Sequence, residues 1–268
     1  MNNDYFGSDA QQDILRRGRN MYDVVGDGPQ FTYYGRTVGL ATPSDGSMKK
    51  LAGLARLQGN SNYGCVPNND VPAMIDAASA EGLKPMHYAR WEGAENAVAA
   101  ARDLLASQAL PDGLRLVQLD DTTPPDLQAS FAQTALACGV LPPSLAALTG
   151  RIKPAVTLMA CTADGQVASC AAASGFFSPN HPDSRTECWW GMLSTHPDWR
   201  GHRLSMILGA QTLINMHEAH GFSRFMTGVE PGNTASEAVC IHMGLECSEN
   251  SILGVADPAL VPGGRMTK

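Results

Sequence analysis

From Gly113 onward the apolar positions change period in a succession of short blocks. Leu114 to Leu119 alternates apolar and polar residues with period two, the mark of a half-buried strand. Asp126 to Cys138 shifts to helical spacing after the Pro124-Pro125 pair, and Ser144 to Leu148 reads as a second, short helix. Val156 to Thr162 and Val167 to Phe177 are apolar enough for strands, with Ala163-Asp164-Gly165 as the turn between them. Cys188 to Thr195 is a fourth strand. Arg200 to His220 is an amphipathic helix stopped by Gly221, and Arg224 to Glu230 is a fifth strand. Thr234 to Met243 is a helix stopped by Gly244, and Ser251 to Ala256 closes the series as a strand. The order β-α-α-β-β-β-α-β-α-β predicts an α/β (α+β) chain built on a mixed sheet flanked by helices, not a doubly wound parallel sheet.

The earlier residues carry a weaker pattern. Phe31 to Leu40 predicts a strand pair around Gly35, Met48 to Leu57 a helix, and Val71 to Glu81 another, started by Asn68-Asn69-Asp70. Pro85 to Arg90 reads as a strand and Ala94 to Ala106 as an alanine-rich helix. The turn residues of Ser107-Gln108-Ala109-Leu110-Pro111-Asp112-Gly113 mark a boundary. We therefore expect an additional N-terminal α/β domain over residues 1–112 and a second domain over 113–268. The first holds no chemical motif. It either completes a substrate pocket or is a degenerate copy of the second, although no repeated motif supports a copy.

Composition narrows the partners. The 268 residues carry 19 Lys+Arg against 26 Asp+Glu, a net charge of −7. That excess argues against nucleic acid or an anionic membrane, both of which need clustered basic residues. Met1-Asn2-Asn3-Asp4-Tyr5 has neither the basic nor the apolar segment of a secretory leader, and no apolar run approaches a membrane span. The seven cysteines include no Cys-x-x-Cys pair and sit mostly in apolar contexts, where cysteine acts as a small buried hydrophobe. A reduced, cytoplasmic setting is expected. His217-Glu218-Ala219-His220 lacks the zinc-binding His-Glu-x-x-His spacing, so no metal is expected.

The most informative stretch runs from Leu193 to Leu245. Its first half leads from a strand through Pro197-Asp198-Trp199-Arg200-Gly201-His202-Arg203-Leu204-Ser205 into a helix. Its second half opens with Val229-Glu230-Pro231-Gly232-Asn233-Thr234-Ala235-Ser236 and continues to Cys240, Gly244 and Leu245. A strand that feeds a helix start through a short glycine turn leaves backbone N–H groups unpaired, and the helix dipole adds positive potential there. Both suit a phosphate or diphosphate. No Gly-x-x-x-x-Gly-Lys loop or Gly-x-Gly-x-x-Gly after a strand is present, which disfavours other nucleotide-binding α/β folds.

These two motifs, in that element order, resemble the GNAT N-acetyltransferase superfamily over roughly residues 113 to 257. Family members carry Arg/Gln-x-x-Gly-x-Gly/Ala at the corresponding helix start, whose amides hold the diphosphate of coenzyme A. Here Arg200, Gly201, His202 and Leu204 fit that signature, while Arg203 stands at the glycine position and Ser205 at the Gly/Ala position. An outward-turned Arg203 keeps the amide donor and adds a guanidinium for phosphate. The second motif keeps its spacing at Asn233, Ser236, Val239-Cys240 and Gly244-Leu245. Asn233 also has the spacing of a helix cap, which is compatible with contact to coenzyme A.

The resemblance implies an acetyl-coenzyme A-dependent transfer to a primary amine of a small molecule, by direct attack in a ternary complex, with a homodimer compatible. A splayed fourth strand would offer main-chain groups of Leu193 and Thr195 to the pantetheine arm and thioester. Cys240 stands where the family places the tyrosine that protonates the departing thiolate. It is an acid there, an acyl-accepting nucleophile, or simply a packed helix cysteine. Glu230 and Glu187 are candidate bases, or solvated strand-end carboxylates, with His196 and His242 as substitutes. Trp189, Trp190, Phe176 and Phe177 are expected in the core. The alternative function is a non-catalytic acyl-coenzyme A sensor.

Overall fold

The computed structural model describes residues 4–263, so residues 1–3 and 264–268, including Met1 to Asn3 of the stretch read for a leader, lie outside it. In the first part of the chain, α1 (Asp9–Val25), β1 (Phe31–Thr32) and β2 (Gly39–Leu40) precede α2 (Met48–Gln58) and β3 (Asn60–Pro67). Next come α3 (Val71–Ala80), β4 (Lys84–Gly93) and α4 (Glu95–Ser107). After the turn at Gly113 the chain forms β5 (Arg115–Gln118), α5 (Pro125–Ala137), α6 (Leu145–Leu148), β6 (Ala155–Cys161), β7 (Val167–Gly175) and β8 (Glu187–Thr195). It ends with α7 (Leu204–His220), β9 (Arg224–Val229), α8 (Thr234–His242) and β10 (Glu246–Ala256).

The mixed sheet flanked by helices is present, and it is larger than the second stretch alone. Ten strands form one sheet in the order β1-β2-β3-β10-β4-β9-β8-β7-β6-β5. The last strand, β10, lies antiparallel between β3 and β4, and β4 lies antiparallel to β9. Strands of the two stretches thus alternate at the centre, so backbone hydrogen bonds are shared across the turn at Gly113.

Two elements lie outside the series expected from the sequence. Helix α1 carries a narrow apolar stripe, with Ile14, Leu15 and Gly18 buried and Met21, Tyr22 and Val25 packed partly buried against the core cluster under α2 and α3, and it is started by a capping box between Ser8 and Gln11. Strand β3, Asn-Ser-Asn-Tyr-Gly-Cys-Val-Pro, is made mostly of residues with poor strand propensity, Tyr63 and Val66 apart; it is held by β10 on one side and β2 on the other. Helix α7 begins at Leu204, four residues later than expected, because Gly201 and Arg203 adopt left-handed φ values of 85° and 57° that no helix accommodates.

Each face of the sheet carries its own core. Helices α4 and α7 cover one face through Val98, Ala101, Trp190, Leu208, Leu213 and Phe225. Helices α5 and α6 cover the other through Phe131, Leu145, Met159, Cys170, Phe176 and Trp189. A third cluster under α2 and α3 packs Leu51, Leu54, Tyr63 and Leu253. Full burial of each such side chain contributes about 1.5–3 kcal/mol. The expected core aromatics Trp189, Trp190, Phe176 and Phe177 are all buried. No cysteine among the described residues forms a disulfide, and no described helix is long and apolar enough to cross a membrane.

Candidate active site

The site grows out of a defect in strand pairing. Strand β8 pairs with β9 in parallel only from Glu187↔Arg224 to Trp189↔Met226, although both strands continue well beyond. Beyond that point Gly191, Met192 and Leu193 of β8 face Thr227, Gly228 and Val229 of β9 across a cleft of about 390 Å³. On its other edge β8 bulges: Gly191 pairs with Ala172 and Ser194 with Cys170, so Met192 and Leu193 share the place opposite Ala171. Met192 is left-handed there, at φ 56°. A bulge adds a residue and bends the strand, and here it turns β8 away from β9.

At the outer end of β8, the turn from His196 leads into α7. Arg203 takes the left-handed backbone, φ 57° and ψ 20°, at the position where the resemblance expects glycine. Holding a non-glycine residue there costs about 1–2 kcal/mol. The N–H groups of Met206 and Ile207 both donate to the Arg203 carbonyl, whereas those of Gly201 to Ser205 donate to no acceptor among the described residues. Arg200, Gly201, His202 and Arg203 are exposed, and Leu204 is buried as the anchor of the helix. The Arg203 side chain is therefore turned out to solvent, and a row of amide donors remains at the positive end of α7.

The remaining expected residues separate into two groups. Leu193, Glu230, Asn233 and Ser236 line the cleft. Asn233 Oδ1 accepts from the Ser236 amide at 3.2 Å, so it caps α8 while facing the opening. Thr195 lies outside: it pairs with Ser169 of β7, its Oγ1 3.0 Å from Ser169 Oγ, and its carbonyl accepts from Cys138 Sγ. Glu187 sits at the closed end of the β8–β9 pair, where it bonds Arg90 at 2.5 Å and lies 3.5 Å from Arg224. It lines a separate pocket of about 570 Å³ with Arg90, Glu92 and His181. Cys240 packs among Trp91, Val98, Met243 and Leu245, and burial pushes its thiol pKa up to about 12. Of the three groups expected to move protons, only Glu230 lines the cleft.

The substitutes lie elsewhere as well. His196 Nδ1 accepts from the Asp198 amide at 3.3 Å, and exposed His242 is bonded to the Ala238 carbonyl at 2.7 Å. His217 bonds the Phe222 carbonyl at 2.8 Å at the end of α7, a helix-terminal contact. Among the described residues no cluster of His, Cys, Asp or Glu is arranged to hold a metal ion.

One wall of the cleft comes from residues that carried no motif. Tyr34 and Arg36, between β1 and β2, stand beside Trp189 and Phe176, and Asn60 and Asn62 of β3 join the lining. The loop that carries Arg36 is pinned from three sides. An added Cβ at Gly18 of α1 would lie 1.9 Å from the Arg36 carbonyl oxygen, and one at Gly35 would lie 2.3 Å from Ala147 Cβ of α6. Buried Lys153 donates to the carbonyls of Tyr33, Phe176 and Phe177 at 2.7, 3.0 and 2.7 Å. The run Tyr33-Tyr34-Gly35-Arg36 was visible in the sequence, but nothing local indicated that it would meet β8.

No protein-family model matches the sequence, and no curated protein matches it. Solved structures do. A tandem GNAT protein from the clavulanic acid biosynthesis pathway superposes at a TM-score of 0.51 with 19% identity, over 75% of this chain and 65% of its own length, slightly under two thirds of that protein. A GCN5-related N-acetyltransferase from Kribbella flavida gives a TM-score of 0.51 at 10% identity, over 84% of this chain and 82% of that one. The chain has the GNAT fold. A Drosophila protein is also similar, at a TM-score of 0.55 and 15% identity over 93% and 89% of the two chains. Identities this low speak for the GNAT fold and not for a substrate. Within that fold, the strand divergence at β8 and β9 and the amide row before α7 are the two features of the site that do not depend on side-chain identity.

Proposed function

We propose that the protein is an acetyl-coenzyme A-dependent N-acetyltransferase that acylates a primary amine of a small molecule by direct attack in a ternary complex. The observation that carries this reading is the unzipped β8–β9 pair, since continuous pairing would leave no passage for a pantetheine arm. The left-handed seat at Arg203 supports it too: among the described residues, five successive amides from Gly201 to Ser205 make no backbone hydrogen bond and remain for a diphosphate. Bound acetyl-coenzyme A supplies the activated acyl group. The chain's own part is to hold and orient. The Gly201–Ser205 amides and the guanidiniums of Arg200 and Arg203 grip phosphate, Leu193 offers main-chain groups in the cleft, and Asn233 and Ser236 border its α8 side. Glu230 is the carboxylate positioned to take a proton from the incoming ammonium, directly or through water.

Calorimetric titration with coenzyme A, followed by thiol release from acetyl-coenzyme A with a panel of amines, tests the proposal. Binding in the micromolar range and amine-dependent thiol release are expected. Absence of binding at millimolar coenzyme A sinks it. A second reading, an acyl-coenzyme A sensor, is favoured by the placement of Cys240: its thiol is buried and the cleft has no acid at that position. Tight binding without release across the panel would select the sensor.

A further inference from the structure

Among the described residues Arg36 is the one cation that lines the cleft, and no carboxylate pairs with it. Its residue is only 9% exposed, and its Nε is buried with no hydrogen-bond partner. Among the described residues its guanidinium makes a single long hydrogen bond, 3.5 Å from Nη1 to the Tyr34 hydroxyl, and pairs with no carboxylate. The guanidinium carbon lies 5.5 Å from the Tyr34 ring centroid and 5.9 Å from that of Trp189, and the two rings, themselves 4.8 Å apart, lie to one side of it. Aromatic contact of this kind anchors the guanidinium from one side, and its N–H groups other than the one bonded to Tyr34 remain as unused donors. Two parallel N–H bonds along a guanidinium edge match the two oxygens of a carboxylate.

A charge buried without a partner is expensive, and this one is held by the architecture around it. Gly18, Gly35 and Lys153 fix the backbone on either side of Arg36. Among the described residues the other charged residue lining the cleft is Glu230, at the end of β9. One cation and one anion in a single cleft complement a molecule that carries both an ammonium and an acidic group.

We infer that the acceptor is an amine that also bears a carboxylate, as amino acids do, and that Arg36 is the residue that binds that carboxylate. This inference rests on the acetyltransferase reading for the amine half of the acceptor, but the carboxylate half has its own test. Each free amino acid and its primary amide, which differ only in the acidic group, are titrated against the wild type and against Arg36→Met and Arg36→Lys by calorimetry, with no turnover required. At least one acid should bind tenfold or more tightly than its amide, with the preference erased in R36M and partly retained in R36K. Amides that bind as well as acids, no binding by any acid, or an unchanged preference in R36M each overturn the inference. Thermal unfolding provides the structural control. Removing an unpaired buried charge should leave the R36M midpoint equal to or above that of wild type. A fall of several degrees would make Arg36 a structural clamp and overturn the assignment. Thiol release with neutral amines separates the two failures: if it occurs while acids are not preferred, the transferase stands and only the acidic acceptor falls.

Discussion

Arg203 carries the strain of the site. Its left-handed backbone is the conformation glycine adopts freely, so Arg203→Gly should stabilise the fold by about 0.5–1 kcal/mol. The same change removes a guanidinium at the proposed phosphate seat and should weaken coenzyme A binding several-fold. Denaturant unfolding and calorimetry on one variant read the two effects separately; tighter binding with lower stability would contradict the placement. Cys240 makes the opposite case. Buried at 2% exposure among α4 and α8 residues, with its thiol held protonated by burial, it is a packing residue. Cys240→Ala should cost about 1–2 kcal/mol of stability and leave kcat within about twofold. A folded variant that has lost turnover would return Cys240 to the chemistry.

Among the elements, α1 shows how a helix that does not line the cleft can still shape it. Its Gly18 packs against the Arg36 backbone so closely that a methyl group would fall 1.9 Å from a carbonyl oxygen. In an exposed helix, glycine to alanine gains about 1 kcal/mol from propensity. Here the contact wins, and Gly18→Ala should destabilise by about 1–3 kcal/mol by forcing α1 off the loop. Chemical denaturation would show it; a stabilised G18A variant would mean that α1 does not brace the loop. Strand β8 makes the complementary point. Its bulge at Met192 and Leu193 is the local event, and the cleft with β9 is the consequence. Most of the central elements were legible in the apolar periodicity, because each buries a stripe or a face of its own. Helix α1 and strand β3 were not: the apolar stripe of α1 is narrow and interleaved with charged residues, and β3 is held by two flanking strands rather than by an apolar face of its own.

At the scale of the molecule, the exchange of strands decides how the chain can be divided. Strand β4 sits between β9 and β10, and β10 sits between β3 and β4. Residues 1–112 alone would lack the partner between β3 and β4, and residues 113–268 alone would expose unpaired edges on β9 and β10. Expressed separately, both fragments should be largely insoluble or unfolded by circular dichroism, because exposed edges and an unfilled sheet centre favour aggregation. A soluble, cooperatively unfolding 113–268 fragment would show that the exchange is dispensable. The same exchange explains how Tyr34, Arg36, Asn60 and Asn62 reach a cleft whose opposite wall is made by β8 and β9.

The amino-acid order by itself determined the strand and helix series after Gly113, the glycine turn before α7 and the cap at Asn233, since these depend on neighbours a few residues apart. It also carried the resemblance to the GNAT fold, through spacings that survive changes of side chain. Tertiary structure alone decided which residues share the cleft. Glu187 and Cys240 are close in sequence to the expected site, yet alternation along a strand and rotation around a helix turn them to a separate ion pair and to the core. Arg36 is remote in sequence and is brought in by packing across the sheet, a long-range contact that no local periodicity encodes.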